Sequence, residues 1–200
     1  MKTKIANGLC LLAFVLFSTG LNAADEAPPK EIGPAEIGPA IGQRVPAFTL
    51  KDQNGHEVSL DALLKKGPVA LVFYRSADWC LFCKFEVMQL QRNLKQFEAT
   101  GGQVVGISYD STATLKRFAT SQAITLPLLS DQGSKTIDAY GVRDQTAPDP
   151  KAGFATHVTL VVDQQGVVRA KFPKVIYQEQ PGVSFLVKAL KDARSAERKD

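Results

Sequence analysis

Apolar residues in this chain fall into two patterns, unbroken runs of five or six and residues spaced three or four apart, and their alternation predicts the elements. Residues 69–74 (Val-Ala-Leu-Val-Phe-Tyr) and 104–108 form the first kind, expected as strands buried on both faces. After the first run, Phe85, Met88, Leu90, Leu94 and Phe97 recur at helical spacing, predicting one helix as far as Ala99 that Gly101-Gly102 ends. Ahead of it, Phe48-Thr49-Leu50 and Val58-Ser59-Leu60 flank Asp52-Gln53-Asn54-Gly55, a hairpin with an Asn-Gly turn. Asp61 is the expected cap of a short helix over residues 62–66. Further on the pattern predicts a helix over 112–121, a short strand over 126–129, a helix over 135–140 and a long loop over 142–153 able to line a site. A hairpin of 158–162 and 167–171 around Asp163-Gln164-Gln165-Gly166 comes next, then a closing helix over 183–194. Strands alternating with helices, then a terminal hairpin, describe an α/β fold: a central mixed sheet with helices on both faces.

The first 43 residues do not fit this pattern. Lys2 and Lys4 precede a short apolar stretch over residues 9–17, and Leu21-Asn22-Ala23 is a small-residue cleavage signal, so residues 1–23 read as a secretory signal peptide. The stretch is well short of the roughly 20 residues a membrane span needs, and the processed chain is not expected to span one. Residues 24–43 contain Glu31-Ile32-Gly33-Pro34-Ala35 and its imperfect repeat Glu36-Ile37-Gly38-Pro39-Ala40, too rich in Pro and Gly for a regular element. They are expected as a linker ahead of a redox domain over 44–196.

Charge and cysteine count narrow the chemistry. Removing Lys2 and Lys4 from the 24 basic residues leaves only a slight excess over the 20 acidic ones, which argues against a nucleic-acid partner. Cys10 leaves with the signal peptide, so Cys80 and Cys83 remain, in a periplasmic or secreted location whose oxidising conditions favour a disulfide between them. So small a ring stabilises a fold weakly, which makes a purely structural role a poor reason for the pair. Their position says more. They stand where a buried strand hands over to a helix, and the unpaired N–H groups and positive dipole end of a helix N-terminus favour the thiolate, the form that attacks. One turn separates the two sulfurs, so either can resolve a covalent intermediate on the other. Zinc would need four ligands, and His56 and His157 are the only histidines, so no metal is expected.

Trp79-Cys80-Leu81-Phe82-Cys83-Lys84 resembles the Trp-Cys-x-x-Cys-Lys site of the thioredoxin superfamily. Gly42-x-x-x-Pro46-x-Phe48-x-Leu50 and Thr159-Leu160-Val161-Val162-Asp163-x-x-Gly166 resemble its peroxiredoxin branch, the alkyl hydroperoxide reductase and thiol-specific antioxidant family. The resemblance extends over about residues 42–190. It implies a thioredoxin-like fold, a redox disulfide Cys80–Cys83, a peroxide or protein disulfide as substrate, a thioredoxin-like or small thiol as reductant, and no cofactor. It gives two answers about which sulfur leads. A thioredoxin-like reductase attacks with the first cysteine, Cys80, whereas the peroxiredoxin spacing puts Cys83 in the peroxidatic place, with Cys80 where a Thr or Ser belongs and Glu86 on the family's glutamate. Ser76 stands where that alignment expects proline, His157 where it expects arginine, and Tyr74 where thioredoxins keep a buried acid.

The residues expected to carry chemistry are therefore Cys80 and Cys83, His157 as a donor to peroxide or an acid and base, and Arg75 as a positive charge beside the thiols. Trp79 is expected as a flat contact for substrate, and Glu86 enters through the family match alone. Three functions are consistent with these residues: a thiol peroxidase, a protein disulfide oxidoreductase, and, as a lesser alternative, a carrier holding Cu(I) between the thiolates.

Overall fold

Val69–Phe73 (β3) carries no polar side chain and is buried throughout, which places it at the centre of a sheet. In this computed structural model, which describes residues 37–147, 153–173 and 182–196, β3 lies between two other buried strands. It pairs in parallel with Gln103–Ser108 (β4) and antiparallel with Val158–Val162 (β6). Leu128–Ser130 (β5) extends the parallel side, followed by the hairpin Thr49–Asp52 (β1) and Glu57–Ser59 (β2). Val168–Pro173 (β7) closes the other edge against β6, giving the order β2-β1-β5-β4-β3-β6-β7.

Alternate residues of each strand feed alternate faces. Val69, Leu71, Phe73, Val105, Ile107, Leu160 and Val162 pack under Leu60–Leu64 (α1) and Lys135–Ala139 (α5). Ala70, Val72, Tyr74, Val104, Leu128 and Val161 pack under Leu81–Arg92 (α2), Leu94–Glu98 (α3), Thr112–Gln122 (α4) and Val183–Ala196 (α6). This is the expected thioredoxin-like arrangement, a mixed sheet covered on both sides.

The differences from expectation have local causes. The helix predicted to run to Ala99 breaks at Asn93, whose side-chain amide turns back to donate to the Gln89 carbonyl at 2.8 Å, and α3 restarts at Leu94. Ser59, not Asp61, caps α1: its hydroxyl accepts the Ala62 N–H at 3.1 Å from an extended backbone, while Asp61 pairs with Lys65. β5 starts two residues late. Pro127 has no N–H to give a ladder, and the Gln53 side chain stands in for a strand there, donating to Leu126 O and accepting from Leu128 N–H.

The signal peptide and residues 24–36 of the linker lie outside the described residues. Residues 37–43 of that linker run along the start of β7: Gly42 N–H donates to Val168 O at 2.8 Å, Val168 N–H donates to Gln43 O at 2.9 Å, and the Lys171 ammonium reaches Ile37 O. Among the described residues no helix is long and apolar enough to cross a membrane.

Candidate active site

The site is built at the end of β3. Tyr74 N–H still bonds to Ile107 O in β4, and then the chain leaves the sheet. The carboxylate of Asp110, from the loop after β4, shapes the turn that leads into α2. It accepts the Ser76 hydroxyl at 2.8 Å, the Ala77 N–H at 2.6 Å and the Ser108 hydroxyl at 2.8 Å, while Ser76 Oγ in turn accepts the Asp78 N–H. The Asp110 carbonyl is itself held by the Ser130 hydroxyl. This small polar knot fixes the approach to Cys80, which caps α2 from an extended conformation and accepts the Cys83 N–H on its sulfur at 3.3 Å. Cys83 sits one turn on, its Cα 5.3 Å from that of Cys80, and the two are joined in a disulfide.

Both sulfurs are less accessible than the sequence suggests. Cys80 is 5% exposed and Cys83 not at all.

β6 supplies the next residue. Phe73 is paired with Val158, so His157, one residue earlier, reaches the same end of the sheet, and one of its ring nitrogens and both sulfurs lie within 4.8 Å of one another. His157 Nε2 is 3.2 Å from Glu86 Oε2, and both side chains are buried. Glu86, singled out through the family match alone, is thus buried against the histidine. The buried stripe of α2 is Cys83, Glu86, Val87 and Leu90, whereas Phe85, assigned to the inner face by its hydrophobicity, is 52% exposed. The apolar pattern misplaced the face because Leu81, Phe82 and Phe85 put large apolar residues on the exposed side of α2; the cap at Cys80 sets the rotation.

Arg75, expected as a positive charge beside the thiols, is anchored by partners of its own. Its guanidinium donates to the buried carboxylate of Asp144 at 3.0 Å and lies 5.7 Å from the centroid of the Phe154 ring. The pair with Asp144 ties the end of β3 to the loop after α5. Asp78 pairs instead with Arg117. Tyr74 replaces an acid with a neutral group, since complete burial pushes its phenol far above its ordinary value.

Trp79 is 51% exposed. Its indole N–H donates to the Tyr109 hydroxyl at 2.9 Å and its ring meets Phe154 edge-on at 5.2 Å. With exposed Leu81, Phe82 and Phe85 it forms an apolar rim around the disulfide. Sequence reasoning missed Asp110, Tyr109, Asp144 and Phe154. The long loop over 142–153 contains Asp144 and ends beside Phe154; nothing pointed to Asp110.

A peroxiredoxin-type thiol site on a thioredoxin-like sheet is the class these features define. The AhpC/TSA family model matches residues 41–171, and the chain belongs to that family. It is 36% identical over 131 residues to the chloroplastic peroxiredoxin Q of Sedum lineare, covering 64% of this chain and 66% of that one. It is also 36% identical over 131 residues to alkyl hydroperoxide reductase E of Mycobacterium bovis, covering 64% and 82%. The matched stretch amounts to 66%, 60% and 57% of three plant peroxiredoxins Q, somewhat under two thirds of their length. Among solved structures, peroxidoxin BcpB from Mycobacterium tuberculosis superposes with a TM-score of 0.69 at 26% identity, over 78% of this chain and 97% of that one. A peroxiredoxin-like protein from Aquifex aeolicus shares the fold, with a TM-score of 0.68 at 21% identity over 81% and 90%.

Proposed function

We propose that this chain is a thiol peroxidase in which Cys80 attacks the peroxide and Cys83 resolves it. The observation that carries the assignment is the asymmetry of the two sulfurs: Cys80 holds the helix cap, accepts an N–H from the first turn and retains the only exposure of the pair. In the reduced protein the Cys80 thiolate attacks one peroxide oxygen, the O–O bond breaks, and the second oxygen leaves with its electron pair and takes up a proton. Cys80 is then a sulfenic acid. The Cys83 sulfur attacks it, the S–O bond breaks, water leaves and the disulfide forms. An external thiol then attacks Cys80 and expels Cys83, and a second thiol frees Cys80 from the mixed disulfide, so that two electrons enter and the external thiols leave as a disulfide. His157, beside both sulfurs and held at Glu86, is the group placed to move the protons.

The rim of Trp79, Leu81, Phe82 and Phe85 favours a second reading, a disulfide oxidoreductase that docks a peptide over Cys80, and it suits a thioredoxin-like protein as reductant in the first. The basic and apolar pattern of residues 1–23 supports export to the periplasm or cell exterior.

Stopped-flow mixing of the reduced protein with peroxide tests the assignment. Cys80→Ser is expected to abolish consumption and Cys83→Ser to retain a single turnover. The reverse would transfer the leading role to Cys83. Failure of the wild type to consume peroxide, with insulin reduction intact, would replace the peroxidase by the oxidoreductase.

A further inference from the structure

The three donors at the centre of the site have a use that peroxide chemistry does not require. Both sulfurs and one nitrogen of His157 lie within 4.8 Å of one another, all on buried side chains. In a trigonal site with bonds of about 2.0–2.3 Å the donors stand roughly 3.5–4 Å apart, so rotation about the side-chain bonds is enough to bring the imidazole in. We propose that the reduced protein binds one Cu(I) through Cys80, Cys83 and His157, with Glu86 as the positioning residue.

The donor set selects the metal. Two thiolates and an imidazole are soft or borderline ligands, which disfavours Mg²⁺ and Ca²⁺. Zn²⁺ in closed protein sites takes four ligands in a tetrahedron, whereas this cluster gathers three. Glu86 Oε2 is 3.2 Å from His157 Nε2, so with Nδ1 as the ligand atom the carboxylate would hold the far nitrogen and orient the ring as an outer-shell partner does. A d¹⁰ monovalent ion is satisfied by three such donors. With two thiolates the site carries one net negative charge, placed at the N-terminus of α2 where the helix dipole stabilises it. Two thiol protons leave on binding and no electron moves. The disulfide must first accept two electrons from a thiol or phosphine, so occupancy is gated by redox state, and a loaded site is closed to peroxide. None of this depends on which sulfur leads the peroxidase cycle.

The test uses the full chain, reduced with a phosphine and desalted without oxygen, then titrated against the coloured Cu(I) complex of bicinchoninate. The reduced wild type is expected to withdraw one equivalent, with a thiolate-to-copper charge-transfer band in the near ultraviolet, and the disulfide form none. Cys80→Ser should lose binding, and Glu86→Gln should weaken it by about ten- to a hundredfold, the usual effect of removing an outer-shell partner. His157→Gln should weaken it at least as much. Should that variant fold poorly, competition between Cu(I) and Zn²⁺ for the wild type decides, with Cu(I) expected to win. The proposal is overturned if the reduced wild type leaves the chelate intact, if a folded His157→Gln binds as tightly as wild type, or if Zn²⁺ displaces Cu(I). Peroxide consumption, measured without metal, separates each of these failures from failure of the peroxidase assignment.

Discussion

Asp110→Ala should be among the most damaging substitutions outside the hydrophobic core, although Asp110 touches neither sulfur. Its carboxylate accepts three bonds, from the Ser76 hydroxyl, the Ala77 N–H and the Ser108 hydroxyl. The two hydroxyls can rotate towards other acceptors, but the Ala77 N–H is fixed by the backbone and buried. An orphaned buried donor costs about 1–3 kcal/mol, and hydrogen bonds to a charged acceptor contribute about 1.5–3 kcal/mol each without adding fully. Together these give a loss of about 3–5 kcal/mol, a large share of the roughly 5–15 kcal/mol that holds a typical domain folded. Asp110→Asn keeps one oxygen for the Ala77 N–H and should lose about half as much. Urea unfolding of the oxidised protein measures both. Because the same carboxylate sets the lead-in to Cys80, the peroxide rate should fall in the same order: wild type, Asn, Ala. A loss below about 1 kcal/mol for Asp110→Ala, or an Asn variant as unstable as the Ala variant, would refute the claim that this carboxylate holds the loop.

Gly67→Ala should lower the melting temperature markedly, by the equivalent of at least about 2 kcal/mol. Gly67 has φ +148°, and an added Cβ would stand 2.2 Å from the backbone carbonyl oxygen of Gly101; a variant melting with wild type in calorimetry would contradict the close approach. Trp79→Ala should cost less than about 1.5 kcal/mol, since the ring is half exposed and loses one hydrogen bond and one edge-on contact. It should raise the half-saturating concentration of a thioredoxin-like reductant several-fold more than that of a small thiol; equal effects on the two in steady-state turnover would show that the rim does not dock protein.

What could be read in the sequence depended on how far the deciding contact lies along the chain. β3 and β4 declare themselves because unbroken apolar runs have one use, and the cysteine pair because strand, turn and helix are contiguous. His157 was legible only through the hairpin that begins beside it, which fixes its height against β3. Glu86 was singled out by the family match, but its burial was illegible because it depends on the rotation of α2, and Leu81, Phe82 and Phe85 make the exposed side as hydrophobic as the buried one. Asp110 gives no signal at all: its three partners come from two separate segments, and an aspartate after a strand usually marks a turn. Residues 37–43 failed in the opposite sense, since Pro and Gly suggested a free tether while the backbone groups of Gly42 and Gln43 bond to the Val168 backbone.

The burial of Cys83 constrains the whole cycle more than the motif does. A peroxide is small enough to reach Cys80 through its slight exposure, but a protein thiol must be brought against that same sulfur, because Cys83 presents no surface at all. Both half-reactions therefore pass through one atom. In the proposed cycle oxidation begins at Cys80, and reduction would begin there too, with the Cys83 sulfur as the leaving group. A thiolate expelled into an enclosed site is costly unless a charge or a proton meets it. The residue in place to meet it is His157, with the Glu86 carboxylate beside its ring. An exposed second cysteine would have allowed the reductant to enter at either end; with it enclosed, the proposed cycle uses the histidine and glutamate in the reductive step as well as the oxidative one.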